Sequence, residues 1–242
     1  MNISEKTKNI LMYVILAILF IVVSGTVAAT VVVNKNKQVV SDYYNKKCAA
    51  FEMQNYNSAI GQIVFIGDSI TDGFVLDNYY AGYPLATYNR GISGDSTAGV
   101  LKRLNVSAFD LAPTKIVLMI GINDINGGLS KTTIVKNYEE ILSRISENLP
   151  STEVYCMSIL PVNETLNKHL NVDVKKTNNT VREVNKEIDK LAVKFNYTYV
   201  NLFPYFSDEN DMLHEKYSVD GIHLTDAAYR VWSHHLKGIW NL

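Results

Sequence analysis

Ser69 stands in Gly67-Asp68-Ser69, directly after the apolar run Ile63 to Ile66. A serine hydroxyl is a weak nucleophile until a base takes its proton as it attacks. His223 is the natural base, because imidazole is the side chain whose ordinary charge change falls near neutral pH. Asp220, three residues earlier, can turn back to the imidazole N–H, fixing the tautomer and stabilising the imidazolium. An attacked carbonyl becomes an oxyanion that needs fixed donors. The Ser69 N–H, the Gly94 N–H and the Asn123 side-chain amide are donors of the right kind. Glycine at 94 would also let the backbone approach a substrate without a Cβ in the way.

Each piece has a structural reading too. Gly-Asp-Ser is an ordinary turn sequence, Gly94 and Asn123 are turn formers, and Asp220 with His223 could cap the final helix. Order, spacing and placement together favour the chemical reading. Asn89-Arg90-Gly91-Ile92-Ser93-Gly94-Asp95-Ser96, Gly121-Ile122-Asn123-Asp124 and Asp220-Gly221-Ile222-His223 each fall in a loop following a strand or preceding a helix. In open parallel sheets such loops converge on a crevice at the strands' carboxyl ends.

The elements that must position these loops alternate. Strands are expected at Ile63–Ile66, Ala86–Asn89, Lys115–Ile120, Glu153–Ile159 and Tyr197–Leu202. Between them lie amphipathic helices. One carries Ile134, Tyr138, Ile141, Leu142, Ile145 and Leu149 on a single face, with Ser130 as its cap; another carries Val181, Val184, Ile188, Leu191, Ala192 and Phe195. The last carries Ala228, Val231, Trp232, Leu236, Ile239 and Trp240. All five prolines fall at element edges, where a missing N–H costs least. Strand–helix alternation implies a parallel sheet with right-handed crossovers and helices on both faces.

Composition excludes several classes. Net charge is −1, and no basic run with interleaved aromatics points to nucleic acid. Cys48 and Cys156 are too few for a disulfide framework and lack metal-ligand spacing; Cys156 reads as a buried core thiol, and Cys48 lies in a polar segment without a lipoprotein signature. After a tail at 1–9, residues 10–33 form an apolar run without a charge, enough to cross the ~30 Å hydrocarbon core. A cleaved signal peptide is the alternative, with Val27-Ala28-Ala29 at its cleavage site and a secreted product. An uncleaved single-pass anchor is preferred because the run stays apolar to Val33. Lysine counting around the span favours an outside N-terminus. The short N-terminal tail, and the extracellular substrates usual for hydrolases, favour an extracytoplasmic catalytic domain, which is the placement expected here. Residues 34–58 form a connector, either a solvated linker or an amphipathic helix carrying Val40, Tyr43, Tyr44, Cys48 and Phe51; the globular domain is placed at 59–242.

Together the motifs resemble the SGNH hydrolase superfamily, the GDSL esterases and lipases, from about Ile60 to Leu242. The resemblance implies a three-layer α/β/α sandwich with a five-stranded parallel sheet in the flavodoxin-like order 2-1-3-4-5. It implies Ser69 as nucleophile, Asp220 and His223 completing the triad, and Ser69, Gly94 and Asn123 forming the oxyanion hole, with no metal and no cofactor. The first motif continues as Ile70 where the GDSL name has leucine, a volume-conserving change.

The activity expected is hydrolysis of carboxylic esters, with short acyl groups such as acetyl esters of carbohydrates preferred because no large lid-like insertion interrupts the chain. The longest irregular stretch is Val162 to Lys176. Transfer of the same acyl group to an envelope sugar, lysophospholipid hydrolysis and a noncatalytic surface binding module are the alternatives. Phe74, Ile125, Leu160, Pro161, Val162 and Ile222 are candidates to line an acyl pocket. Asp68, Asp72, Asp95 and Asp124 are expected to brace loops, Arg90 to sit in a structural ion pair in preference to contacting a substrate anion, and His169, His214, His234 and His235 to have no chemical role.

Overall fold

The computed structural model describes residues 41–166 and 173–240, together with Thr26, Thr30, Val32, Lys35, Gln38 and Val39. By compactness the chain divides into Met1–Lys46 and Lys47–Leu242. In the smaller unit the described residues are helical, with Gln38 Nε2 donating to Asp42 Oδ1 at 2.8 Å. The apolar run expected to span a membrane lies almost wholly outside the described residues, among which no helix is long and apolar enough to cross one.

The larger unit opens with α1, helical through residue 55, of which residues 47–55 belong to this unit. Its Phe51 is buried. Then come β1 (Ile63–Gly67), α2 (Ser69–Asp72), α3 (Asp77–Tyr80), β2 (Thr87–Gly91), α4 (Thr97–Lys102) and α5 (Leu104–Ser107). They are followed by β3 (Lys115–Met119), α6 (Ile122–Asn126), α7 (Lys131–Asn148), β4 (Glu153–Met157), α8 (Val174–Lys194), β5 (Thr198–Val200), α9 (Phe203–Phe206) and α10 (Asp226–Ile239).

The five strands form one sheet in the order β2-β1-β3-β4-β5, and every pair is parallel. Register tells which residues share a face. Phe65 pairs with Val117, and Val117 with Tyr155; Ile66 pairs with Leu118, and Leu118 with Cys156. On the first face α10 covers the sheet, its Trp232 ring 6.5 Å from Phe65 and Trp240 5.7 Å from Tyr155. On the second, Tyr138 of α7 reaches the Cys156 thiol, whose burial pushes it up to about 12. Helices therefore cover both faces, giving three layers. The interior strand β1 is buried along its whole length, each large side chain contributing about 1.5–3 kcal/mol by leaving water.

Strand ends depart from expectation for local reasons. β4 stops at Met157, two residues early. Ile159 N–H donates to the Asn185 side chain at 2.8 Å, and Ser158 Oγ accepts from the N–H groups of Leu202 and Phe203, so side chains replace the ladder. β2 runs on to Gly91, where a Cβ would lie 2.2 Å from the Asp72 nitrogen; only glycine lets strand and turn meet so closely. Ser130 caps α7 as expected, accepting from Thr133 N–H at 3.2 Å. The stretch Val162 to Lys176 is shorter as irregular chain than it looked, with a 3-10 turn at Glu164–Leu166 and α8 beginning at Val174; His169 lies outside the described residues.

Candidate active site

β1 ends in glycine because nothing larger fits: a Cβ at Gly67 would lie 2.1 Å from Thr71 Oγ1 and 2.4 Å from the Met119 carbonyl. The chain then turns at once into α2, whose first residue is Ser69. Asp68 caps that turn, its Oδ1 accepting from Ile70 N–H at 3.0 Å. Asn89, from the neighbouring strand, clasps the turn by donating to the carbonyls of Thr71 (2.6 Å) and Phe74 (2.9 Å). Ser69 is thus presented at the carboxyl edge of the sheet by a turn held on both sides.

His223 arrives from the loop before α10. Asp220 Oδ1 accepts the N–H groups of Ile222 (3.1 Å) and His223 (2.8 Å), which closes a tight turn with Gly221 at φ 87°. That turn leaves Asp220 Oδ2 2.6 Å from His223 Nδ1, while His223 Nε2 lies 2.9 Å from Ser69 Oγ. With Nδ1–H donating to the carboxylate, Nε2 is left as the acceptor facing the serine hydroxyl. Partial burial pushes Asp220 up, but hydrogen bonds from the imidazole and from the two backbone N–H groups outweigh it and hold the carboxyl below its ordinary range. The pair is open to solvent, with the imidazole side chain 45% exposed and the carboxylate 37%.

The loop after β2 is held from beneath. Asp95 is buried and pairs with Arg103 at 2.7 Å, and the Arg103 guanidinium also donates to the carbonyls of Arg90 (2.7 Å) and Gly67 (2.9 Å). Asp124 accepts from Thr97 N–H (2.9 Å) and Thr97 Oγ1 (2.6 Å). Burial raises both Asp95 and Asp124 despite these donors. Gly94 stands in this loop at φ 79°, exposed, with open space where a Cβ would point. Asn123, second residue of α6, donates from Nδ2 to the Asp95 carbonyl at 2.8 Å, so its amide faces the same loop. An amide carries two N–H groups, and this bond uses one.

Asp68, Asp95 and Asp124 therefore brace loops, as expected, and so does Asp72, which accepts from Ser93 N–H at 3.2 Å. Arg103 was not singled out by sequence; its signal was a cation set between the apolar Val100 and Leu104 in a helical stretch. Arg90 is structural, but its ion pair is absent among the described residues. Its guanidinium bonds to Gln54 Oε1 (3.1 Å), Asn55 Oδ1 (2.8 Å) and the Asn89 carbonyl (3.0 Å), and lies 4.9 Å from the Phe51 ring centroid. Burial without a balancing acid lowers it to about 10. The suggested acyl-pocket lining is also corrected. Phe74 is packed among Tyr229, Tyr80 and Trp232, and Leu160, Pro161 and Val162 are buried; of that set only Ile222 is partly exposed.

The chain is similar to several known proteins. The sequence pattern of the GDSL-like lipase/acylhydrolase family matches residues 65–231. An N-acylneuraminate cytidylyltransferase of Streptococcus agalactiae is 25% identical over 174 residues, which are 68% of this chain and 35% of that protein. The platelet-activating factor acetylhydrolase IB subunit alpha1 of Bos taurus is 30% identical over 103 residues, 41% of this chain and 44% of the bovine one. The chain thus spans less than half the length of these curated relatives. Among solved structures, a Streptococcus pneumoniae protein described as a platelet activating factor superposes with TM-score 0.79 at 28% identity, over 87% of this chain and 98% of the other. A GDSL-like lipase from Bacteroides thetaiotaomicron gives TM-score 0.71 at 22% identity, over 82% and 98%, a likeness of fold.

Proposed function

We infer the reaction from the premise that this chain belongs to the GDSL-like lipase/acylhydrolase family and is an esterase-type hydrolase; we propose that it cleaves short acyl esters, acetyl above all, through an acyl-enzyme on Ser69. The observation that carries this reading is the chain of contacts from Asp220 Oδ2 through both nitrogens of His223 to Ser69 Oγ, at 2.6 and 2.9 Å.

In the proposed mechanism Ser69 Oγ attacks the acyl carbon while His223 Nε2 takes its proton, and Asp220 stabilises the imidazolium. The tetrahedral oxyanion is held by the N–H groups of Ser69 and Gly94 and by the second N–H of the Asn123 amide. Collapse breaks the ester C–O bond, and the imidazolium returns the proton to the departing alcohol. Water, deprotonated by the same nitrogen, then attacks the acyl carbon, and the serine leaves with the proton as the acid is released.

The preference for short chains is supported by burial: Phe74, Leu160 and Val162, candidates to line an acyl pocket, are packed into the core. The bovine relative is named for acetyl hydrolysis, and the streptococcal one for work on an N-acylneuraminate, which supports a sugar-borne acetyl ester as the substrate class. A p-nitrophenyl ester series from acetate to palmitate tests this. Highest kcat/KM at acetate or propionate is expected, whereas preference for long chains would replace the reading with a lysophospholipase. Acyl transfer to an added sugar in excess of free acid would replace it with an acyltransferase. The uncharged apolar run at 10–33 supports an anchor holding the domain outside the cytoplasm. Protease added to intact cells is expected to remove the domain, and full protection would overturn that placement.

A further inference from the structure

Asp72 closes the helical turn that Ser69 opens. Its carboxylate leaves the turn toward the loop after β2, where Oδ2 accepts from both Ser93 Oγ (2.8 Å) and Ser93 N–H (3.2 Å). Its other oxygen accepts from Lys47 Nζ at 2.7 Å. Ser93 and Gly94 are exposed, and Gly94 has no side chain to pack, so its N–H direction depends on how its two neighbours are tied. Asp95, after it, is tied to Arg103; Ser93, before it, is tied to Asp72.

We propose that Asp72 is a positioning residue that sets the spacing between the nucleophile and the Gly94 oxyanion donor, and that Lys47 of α1 holds Asp72 in place. The proposal rests on the reading of Gly94 as an oxyanion donor. One carboxylate spans both halves of the site, being covalently part of the Ser69 turn and hydrogen-bonded to the residue before Gly94. That carboxylate accepts from two groups of one exposed residue, a geometry that water competes for unless a cation fixes it. Lys47 supplies the cation from a defined position. Its ammonium lies 5.4 Å from the centroid of Phe51, a ring that is itself buried and faces Arg90. The pair is largely shielded, with side chains 28% and 17% exposed, unlike the freely solvated pairs that contribute little. Residues 47–55 are then part of the apparatus that shapes the site, and not only a spacer.

The test uses full-length Lys47→Met, Lys47→Arg, Asp72→Asn and Lys47→Met/Asp72→Asn, with wild type and Ser69→Ala as references. Two readouts are taken: kcat and KM for p-nitrophenyl acetate, and amide hydrogen exchange of the peptide containing Ser93 and Gly94. Lys47→Met is expected to lower kcat roughly tenfold with KM within about twofold, because the oxyanion donor is misplaced while ground-state binding is kept. Lys47→Arg should restore most of kcat. The double variant should be no slower than Asp72→Asn alone, since both act through one contact. Exchange at Ser93–Gly94 should accelerate in Lys47→Met while exchange in β4 stays unchanged. Unchanged exchange at this peptide overturns the proposal, as do multiplicative losses in the double variant. Faster exchange with unchanged kcat, in a protein whose activity Ser69→Ala abolishes, keeps the brace but overturns Gly94 as donor. If wild type hydrolyses no ester, the esterase reading fails by itself, and the exchange data still decide the brace.

Discussion

Two aspartates paired with nitrogen donors stand at the same rim of the sheet and differ in exposure. Asp220 and His223 are 2.6 Å apart with side chains 37% and 45% exposed; Asp95 and Arg103 are 2.7 Å apart with side chains 2% and 1% exposed. In the proposed mechanism the first pair passes protons, and it sits on the solvent side, on a turn stitched by backbone N–H groups. The second is buried. It ties the ends of β1 and β2 through the Gly67 and Arg90 carbonyls, so its charges are spent on geometry. Variants of the open pair should lose turnover and keep their stability, and variants of the buried pair should lose stability.

The largest effect expected is at Ser69. Ser69→Ala should cost on the order of 10⁴-fold or more in kcat, with an unchanged urea midpoint. A large drop in stability would break the division of labour just drawn. Next comes Arg103→Ala, which leaves a buried carboxylate without its cation and takes a donor from the Arg90 and Gly67 carbonyls. Urea unfolding should show a loss of about 3–5 kcal/mol, and a loss under about 1 kcal/mol would mean the buried pair is not the brace.

The third prediction concerns pH. Asp68 is fully buried; desolvation, aided by Asp95 and Asp124, outweighs the Ile70 N–H bond and the nearby imidazole and pushes it up to about 7. A carboxyl whose folded value lies above its unfolded one holds its proton more tightly in the folded chain, so folding stability falls as pH rises between about 4 and about 7. Asp68→Asn removes that slope. Its stability relative to wild type should climb across this window by on the order of 4 kcal/mol and level off above it; a difference independent of pH would contradict the assignment. The smallest effect pairs two glycines. Gly94 and Gly82 share φ 79° and open space at the Cβ position. Alanine at either should cost roughly 1 kcal/mol of stability through the left-handed backbone. Only Gly94→Ala should lower kcat, by roughly tenfold, and equal activity in the two would remove the 94 N–H from the mechanism.

What was legible in the sequence follows from range. The strands, the capped helices and the triad motifs are local: Ile63 to Ile66 reads as a buried strand from its own residues, and Asp220 and His223 lie within one turn. Their meeting with Ser69, 154 positions away, could be read because each motif sits at the end of an element whose order in the sheet follows from alternation. The supports could not be read this way. Lys47 is 25 residues from Asp72, and Thr97 is 27 from Asp124, with no period or turn chemistry to connect them. The partners of Arg90 could not be read either, because a buried guanidinium can be satisfied by amides and rings as well as by a carboxylate. Phe74 was misjudged because the direction of a side chain in a loop is set by what packs on it, here Tyr229 and Trp232.

The central claim is that Ser69 becomes acylated because His223 and Asp220 activate it. Labelling the folded full-length protein with a fluorophosphonate and mapping the adduct by mass spectrometry tests this most directly. One adduct per chain on Ser69, abolished in His223→Ala, is the predicted result. An adduct on another residue, or an active esterase that leaves Ser69 unlabelled, would contradict it.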